Sequence, residues 1–295
     1  MYDFKCFYQA VDVDDAVRAL KADPEAILVS GGSDVLIKIR EGKLAGCSLV
    51  SIHGIGELKG VRLETDGSIV IGPAATFSEI THHEIIRQYI PVLGRAVDQA
   101  GGPQLRNIGT IGGNICNGAT SADSASSLFL LNAQLRLKGE HGIRTVPIRE
   151  FYTGPGRTVR EQTEVLIEIR IPRSGYEDFY GHYIKYGKRN AMEIATLGCA
   201  CGVRLSADKK RVEELRLAYG VAAPTPIRCG KTEELCRGMA IGAEFYETIG
   251  KAALEEVNPR SSWRASKEFR LQLVEELSKR ALKQAIGFAG GDADA

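Results

Sequence analysis

No apolar run in the sequence approaches the roughly 20 residues that a membrane span needs. The first ten residues hold no signal-peptide apolar region either. Both absences favour a cytoplasmic protein without a membrane partner. An excess of charge of one sign is also missing: 38 Lys and Arg face 37 Asp and Glu, a formal net charge of +1. That balance argues against nucleic acid as a partner, because phosphate binding needs a basic face. The seven cysteines are odd in number and scattered, and only Cys199 and Cys201 lie close together. No C-x-x-C exists, so the thiols read as reduced, with no iron–sulfur, zinc or other metal site on this chain. There is no P-loop pattern and no G-x-S-x-G, and His82-His83 have no ligand pattern beside them. ATP-type phosphate chemistry and nucleophilic catalysis therefore have no carrier here.

What is abundant is glycine, in bursts at Gly31-Gly32, Gly101-Gly102 and Gly112-Gly113. The length suits two or three compact units. Helical spacing over 13–22, an apolar run at Ala26 to Val29, a short element at Val35 to Ile39 and a strand at Leu49 to Ile52 predict a small βαβ-like first lobe. Strands are predicted at 68–72, 135–137 and 165–171. Thr76 with Glu79 makes a capping-box pattern. Residues 78–101 read as helical with a break at Pro91, and 122–132 as a helix with Asp123 in its first turn. After a polar stretch at 173–182 come strands at 182–186, 197–205 and 215–221, then helices over about 242–257 and 266–288. The division predicted is residues 1–174 (a lobe of about 1–56 and a larger one of about 57–174), a C-terminal α+β unit over 180–288, and a frayed tail over 289–295.

Two glycine segments could carry chemistry. In Ile27-Leu28-Val29-Ser30-Gly31-Gly32-Ser33-Asp34 a strand runs into glycines, where backbone can approach a ligand closely and successive amides can face an anion such as pyrophosphate. The plain alternative is a tight turn with Ser33 or Asp34 capping the next element. The second segment, Asn107 to Ile115, contains Thr110-Ile111-Gly112-Gly113-Asn114. Two such turns suit a dinucleotide better than a mononucleotide, or else are two ordinary turns. His53 to Gly60 mimics a Rossmann fingerprint, but it leads within a few residues to a strand and reads as a loop. Asp123 could cap a helix or accept a hydrogen bond from a flavin. Lys185 could solvate a strand face or stabilise charge on a reduced flavin. Cys116 reads as a buried small side chain.

Taken together these segments resemble the FAD-binding medium subunits of the molybdenum hydroxylases, a group that includes xanthine dehydrogenases, carbon monoxide dehydrogenases and nicotinate or purine hydroxylases. The family's A-G-G-x-S/T loop appears as Ser30-Gly31-Gly32-Ser33, with Ser for Ala, and its T-x-G-G-N loop as Thr110 to Asn114. The stretches Asn114 to Ser124, Tyr219 to Pro226 and Pro259 to Ser266 are similar to the separate FAD subunit of bacterial xanthine dehydrogenases. The resemblance covers essentially the whole chain. It implies a two-lobed FAD-binding domain of the PCMH type, followed by an antiparallel sheet with helices like the C-terminal domain of CO dehydrogenase flavoproteins. It implies FAD on this chain, with Asp123, Leu166 and Lys185 beside it. It implies a large molybdenum-cofactor subunit and a small 2Fe–2S subunit as partners, a purine as the substrate of the complex, and NAD as a possible acceptor. No residue of this chain is then expected to act as acid, base or nucleophile. The departure is near Ala100, where animal xanthine dehydrogenases carry an aromatic residue; the flavin face would be more open, or covered from elsewhere. A flavin-free bridge between partners and a free-standing FAD reductase are the other readings.

Overall fold

The computed structural model describes residues 2–294. Its first sheet has three parallel strands in the order Phe4–Gln9, Cys47–Ser51, Ile27–Val29. The helix Val13–Ala22 covers it and starts at Asp12, whose side chain accepts the Asp15 amide at 2.7 Å. The strand Phe4–Gln9 has no counterpart in the sequence expectations. All six of its residues are exposed, so it lacks the alternation of a half-buried strand. The short element after the glycines is a helix, Val35–Arg40, and Asp34 precedes it without a side-chain cap.

The second sheet has five antiparallel strands, in the order Val61–Leu63, Ile69–Ile71, Val165–Ile171, Gln134–Gly139, Gly142–Pro147. Short helices fill one face of it and form the main core with it. The expected helical stretch over 78–101 is three helices, Phe77–His82, Glu84–Tyr89 and Pro91–Asp98. Pro91 sits at the start of the third, as its missing N–H allows. The additional break is at His83, whose backbone is extended and whose ring caps the next helix. The Thr76–Glu79 capping box is present in both directions. Residues 53–60 form a loop with a single 3-10 turn, Gly56–Leu58.

The third sheet runs Tyr180–Tyr186, Leu197–Leu205, Val212–Gly220, Ile227–Arg228, all antiparallel. The helices Ala243–Leu254 and Lys267–Phe288 pack with it into a second core. Tyr183, Ala200 and Ala218 of the same sheet belong instead to the main core. Its central strands are thus covered on both faces. This is why Leu197–Leu205 reads as a continuous small and apolar run and why Cys199 and Cys201 are fully buried. Burial pushes both thiols far above the usual range, which makes them packing groups rather than reactive ones. In the segment after the last helix, Ala289 is buried and the Tyr246 hydroxyl donates to the Ala293 carbonyl at 2.8 Å. The last residue of the expected tail, Ala295, lies outside the described residues.

Candidate functional site

Ile27–Val29 is a three-residue edge strand that delivers the chain into the first glycine corner. Gly32 adopts φ +73°, which a side chain disfavours, and its carbonyl accepts the Leu36 amide that starts the next helix. Gly31 is needed for a different reason. A Cβ there would stand 1.9 Å from the Ile108 carbonyl oxygen and 3.3 Å from the Gly109 Cα. The two glycine segments, 77 positions apart, are therefore pressed backbone to backbone. Among the described residues the amides of Gly31, Gly32, Ser33 and Asp34 have no protein acceptor. The Ser30 hydroxyl is buried and unpartnered as well. Asp34 forms a 2.5 Å ion pair with Lys38, one turn along, and so turns its charge toward the helix. A recess of about 360 Å³ adjoins the corner, walled by Phe4, Phe7, Leu49, His53 and Ile108.

The second corner differs from expectation. Gly112 and Gly113 are not a bare loop; they lie in the first turn of the helix Ile111–Cys116, capped by Thr110. Their amides are engaged, Gly112 with the Pro73 carbonyl at 2.8 Å and Gly113 with the Thr110 hydroxyl at 3.3 Å. A Cβ on Gly112 would come within 2.5 Å of the Pro73 side chain, so that glycine serves close packing. The Ile111 amide donates to Ala75 and that of Asn114 to Thr110. Ile108 and Gly109 of this segment back the first corner, and its backbone amides from Ile111 to Asn114 are all engaged within the protein. Sequence reasoning could not see this, because Pro73 lies some forty residues away.

Asp123 and Lys185 meet. Lys185 donates to the Asp123 carboxylate at 2.8 Å and to the Gln99 carbonyl at 2.9 Å, and both side chains are almost fully buried. The Tyr183 hydroxyl donates to the same carboxylate at 3.0 Å. Tyr183 and Lys185 lie two apart on one strand and so reach the same face. That alternation was the available signal for Tyr183, which the sequence reading passed over. Burial pushes the Asp123 carboxyl up from its ordinary value, against the pull of Lys185 and Tyr183. Asn114 ties this cluster to the second segment: its side-chain oxygen accepts the Ser124 hydroxyl at 2.7 Å. Gln99 and Ala100 lead to Gly101, and Arg106 donates back to the Gly101 carbonyl at 3.3 Å. Ala100 is itself buried. Leu166 sits in the main core, 3 % exposed and opposite Leu137. Cys116 is packed against that core, and burial pushes its thiol up to about 11.

A corner with four free amides, an orphaned hydroxyl and a backbone contact that tolerates no Cβ fits a diphosphate-containing cofactor such as FAD. Comparison with known proteins agrees. The family described as the FAD binding domain in molybdopterin dehydrogenase matches residues 2–174. The CO dehydrogenase flavoprotein C-terminal domain matches residues 182–285. The chain is 43 % identical over 291 residues to a xanthine dehydrogenase FAD-binding subunit of Escherichia coli O157:H7, covering 99 % of each chain. It is 30 % identical to the carbon monoxide dehydrogenase medium chain of Hydrogenophaga pseudoflava, over 95 % of this chain and 96 % of that one. A solved structure of carbon monoxide dehydrogenase from Hydrogenophaga pseudoflava superposes with a TM-score of 0.90 at 29 % identity, covering 97 % of this chain and 98 % of that one. The chain belongs to the family of FAD-binding subunits of the molybdenum hydroxylases and is xanthine dehydrogenase-like.

Proposed function

We propose that this chain is the electron relay of a purine-oxidising complex. In this reading a large partner holds the molybdenum cofactor and a small partner holds 2Fe–2S clusters. Electrons leave the clusters for the FAD on this chain and pass on to NAD or another acceptor. The observation that carries the reading is the first corner, where unpartnered amides and the Ser30 hydroxyl converge beside a contact only glycine allows. When bound, FAD supplies the redox chemistry. The residues of the chain bind and orient it. The amides of Gly31 to Asp34 would donate to the diphosphate, with the strand Ile27, Leu28 and Val29 delivering the chain to the corner. Ile108 and Gly109 back the corner, and Thr110, Ile111, Gly112, Gly113 and Asn114 form the capped helical turn that anchors them. The recess walled by Phe4 and Phe7 has room for an aromatic base. Lys185 compensates the buried charge of Asp123 and fixes the Gln99 carbonyl, and so sets the turn that leads to Gly101. Leu166, in the main core, would line the adenine or flavin side of the cofactor.

Purification of the complex from its native source, with flavin and metal analysis and steady-state assays, tests the reading. It should contain FAD, molybdenum and iron, oxidise hypoxanthine or xanthine, and reduce NAD. A complex with FAD that oxidises no purine would remove the substrate assignment. A complex that reduces only artificial dyes would remove NAD.

A further inference from the structure

The third glycine pair, Gly101-Gly102, is joined to the first corner by a continuous line of contacts. Gly31 abuts Ile108 and Gly109. A Cβ on Gly109 would stand 3.0 Å from the Leu105 carbonyl oxygen, and one on Gly101 would stand 2.8 Å from the Leu105 side chain. Ile108 and Leu105, both large and apolar, are exposed along this line. At its far end a Cβ on Gly102 would meet the Met192 side chain, 3.3 Å from Cγ and 3.5 Å from Sδ. Met192 nevertheless remains 66 % exposed.

Met192 lies in the connection between the strands Tyr180–Tyr186 and Leu197–Leu205. Its backbone adopts φ +55°, a region that a side chain disfavours. The connection holds that shape itself: the Arg189 guanidinium donates to the Met192 carbonyl at 2.8 Å and the Arg189 amide to the Glu193 carboxylate at 2.5 Å. Lys185, on the strand that leads into it, fixes the Gln99 carbonyl. Strand end and connection thus both close on residues 99–102. A diphosphate at the Gly31 corner, with its base in the Phe4–Phe7 recess, leaves the flavin arm of FAD to run the other way. It would pass over Gly109, Gly101 and Gly102, where no side chain blocks close approach. The aromatic residue that animal xanthine dehydrogenases carry near Ala100 is here a buried methyl group. A thioether suits the vacated place, since sulfur packs favourably at an aromatic ring and the unbranched side chain adapts to its shape.

We infer that Met192 covers the outer face of the flavin ring and limits how closely an electron acceptor approaches it. The inference rests on the proposed seating of FAD at the Gly31 corner. It is tested first by nuclear magnetic resonance on the full chain, isotope-labelled at the methyl groups of its three methionines and titrated with FAD. The Met192 signal, assigned by its loss in Met192→Leu, should move upfield under the ring current of the flavin. The Met239 signal should stay in place, because that side chain packs on the second core. The second readout is reoxidation of the dithionite-reduced, FAD-loaded chain by O2, in which two electrons and two protons pass to O2 and give hydrogen peroxide. Met192→Gly should speed it about threefold or more, while Met192→Leu keeps the cover and the rate. Melting curves and FAD content should match the unsubstituted chain, because glycine accepts the backbone conformation and the side chain lies on the surface. A Met192 signal unmoved at saturating FAD, or a glycine variant reoxidised within about twofold of the unsubstituted rate, would overturn the inference alone. A glycine variant that folds but loses FAD would make Met192 a residue that holds the cofactor and overturn the shielding role. An unsubstituted chain that takes up no FAD would overturn the flavin reading as well.

Discussion

Asp123 and Lys185 are 62 positions apart, and each is legible in the sequence as a candidate polar group. Their pairing is not, because nothing local to either residue encodes a contact between a helix and a distant strand. A buried pair is costly to break from one side, since the remaining charge has no water and no partner. Lys185→Met should therefore destabilise the fold by about 3–5 kcal/mol in urea titrations. Adding Asp123→Leu should recover much of that loss; a double variant as unstable as the single one would show that the pair is not what holds this junction. Ser30 is a milder probe. Its unpartnered hydroxyl is worth about 1 kcal/mol to a bound phosphate, so Ser30→Ala should raise the FAD dissociation constant about fivefold with an unchanged melting curve. His182 gives a pH signature. It is buried against Phe288, and burial together with the Arg95 charge pushes its pKa down to about 4. The unfolded chain binds that proton more readily than the folded one. The stability involved is complete above the ordinary histidine value and is lost as pH falls from about 6.5 toward 4. His182→Gln should flatten this part of the melting-temperature profile, and an unaltered profile would assign the acid sensitivity to other groups.

The helix Asp123–Leu130 is the element on which the architecture turns. Lys185 and Tyr183 grip its first residue. At its other end Arg216 donates to the Leu130 carbonyl at 2.9 Å, and Arg228 reaches the Phe129 carbonyl and the Asn132 side chain. Arg216 also donates to the carbonyls of Ser174 and Gly175 and lies 4.0 Å from the Phe179 ring centre. One sheet thus holds both ends of a helix that belongs to the preceding half of the chain. Arg216→Met would strand the buried carbonyls of Leu130 and Gly175, while Glu214 keeps its ion pair with Arg204 at 3.2 Å; it should lower stability by about 3 kcal/mol, read as a shifted denaturation midpoint with an unchanged slope. Gly112→Ala should also destabilise, since its Cβ would strike Pro73. Strong periodicity made most helices and buried strands legible, including Val13–Ala22, Val165–Ile171 and Lys267–Phe288. The exposed strands Phe4–Gln9 and Gly142–Pro147 left little hydrophobic pattern to read. The short helix Gly230–Leu235 was too brief to announce itself.

Across the whole molecule, the two glycine segments were legible as a pair, but their division of labour was not. Composition gave no hint that one corner would keep its amides free while the other would use them on Pro73 and Thr110. That asymmetry is a property of the folded chain, in which the first corner is open and the second is its backing. The most direct measurement is the flavin content of the purified chain carrying Gly31→Val and Gly32→Val, set beside the unsubstituted chain and checked for folding by circular dichroism. The unsubstituted chain should be yellow with near-stoichiometric FAD, and the variant should retain secondary structure but bind essentially none. A folded variant that keeps stoichiometric FAD would mean that the cofactor is held somewhere other than the Ser30–Asp34 corner.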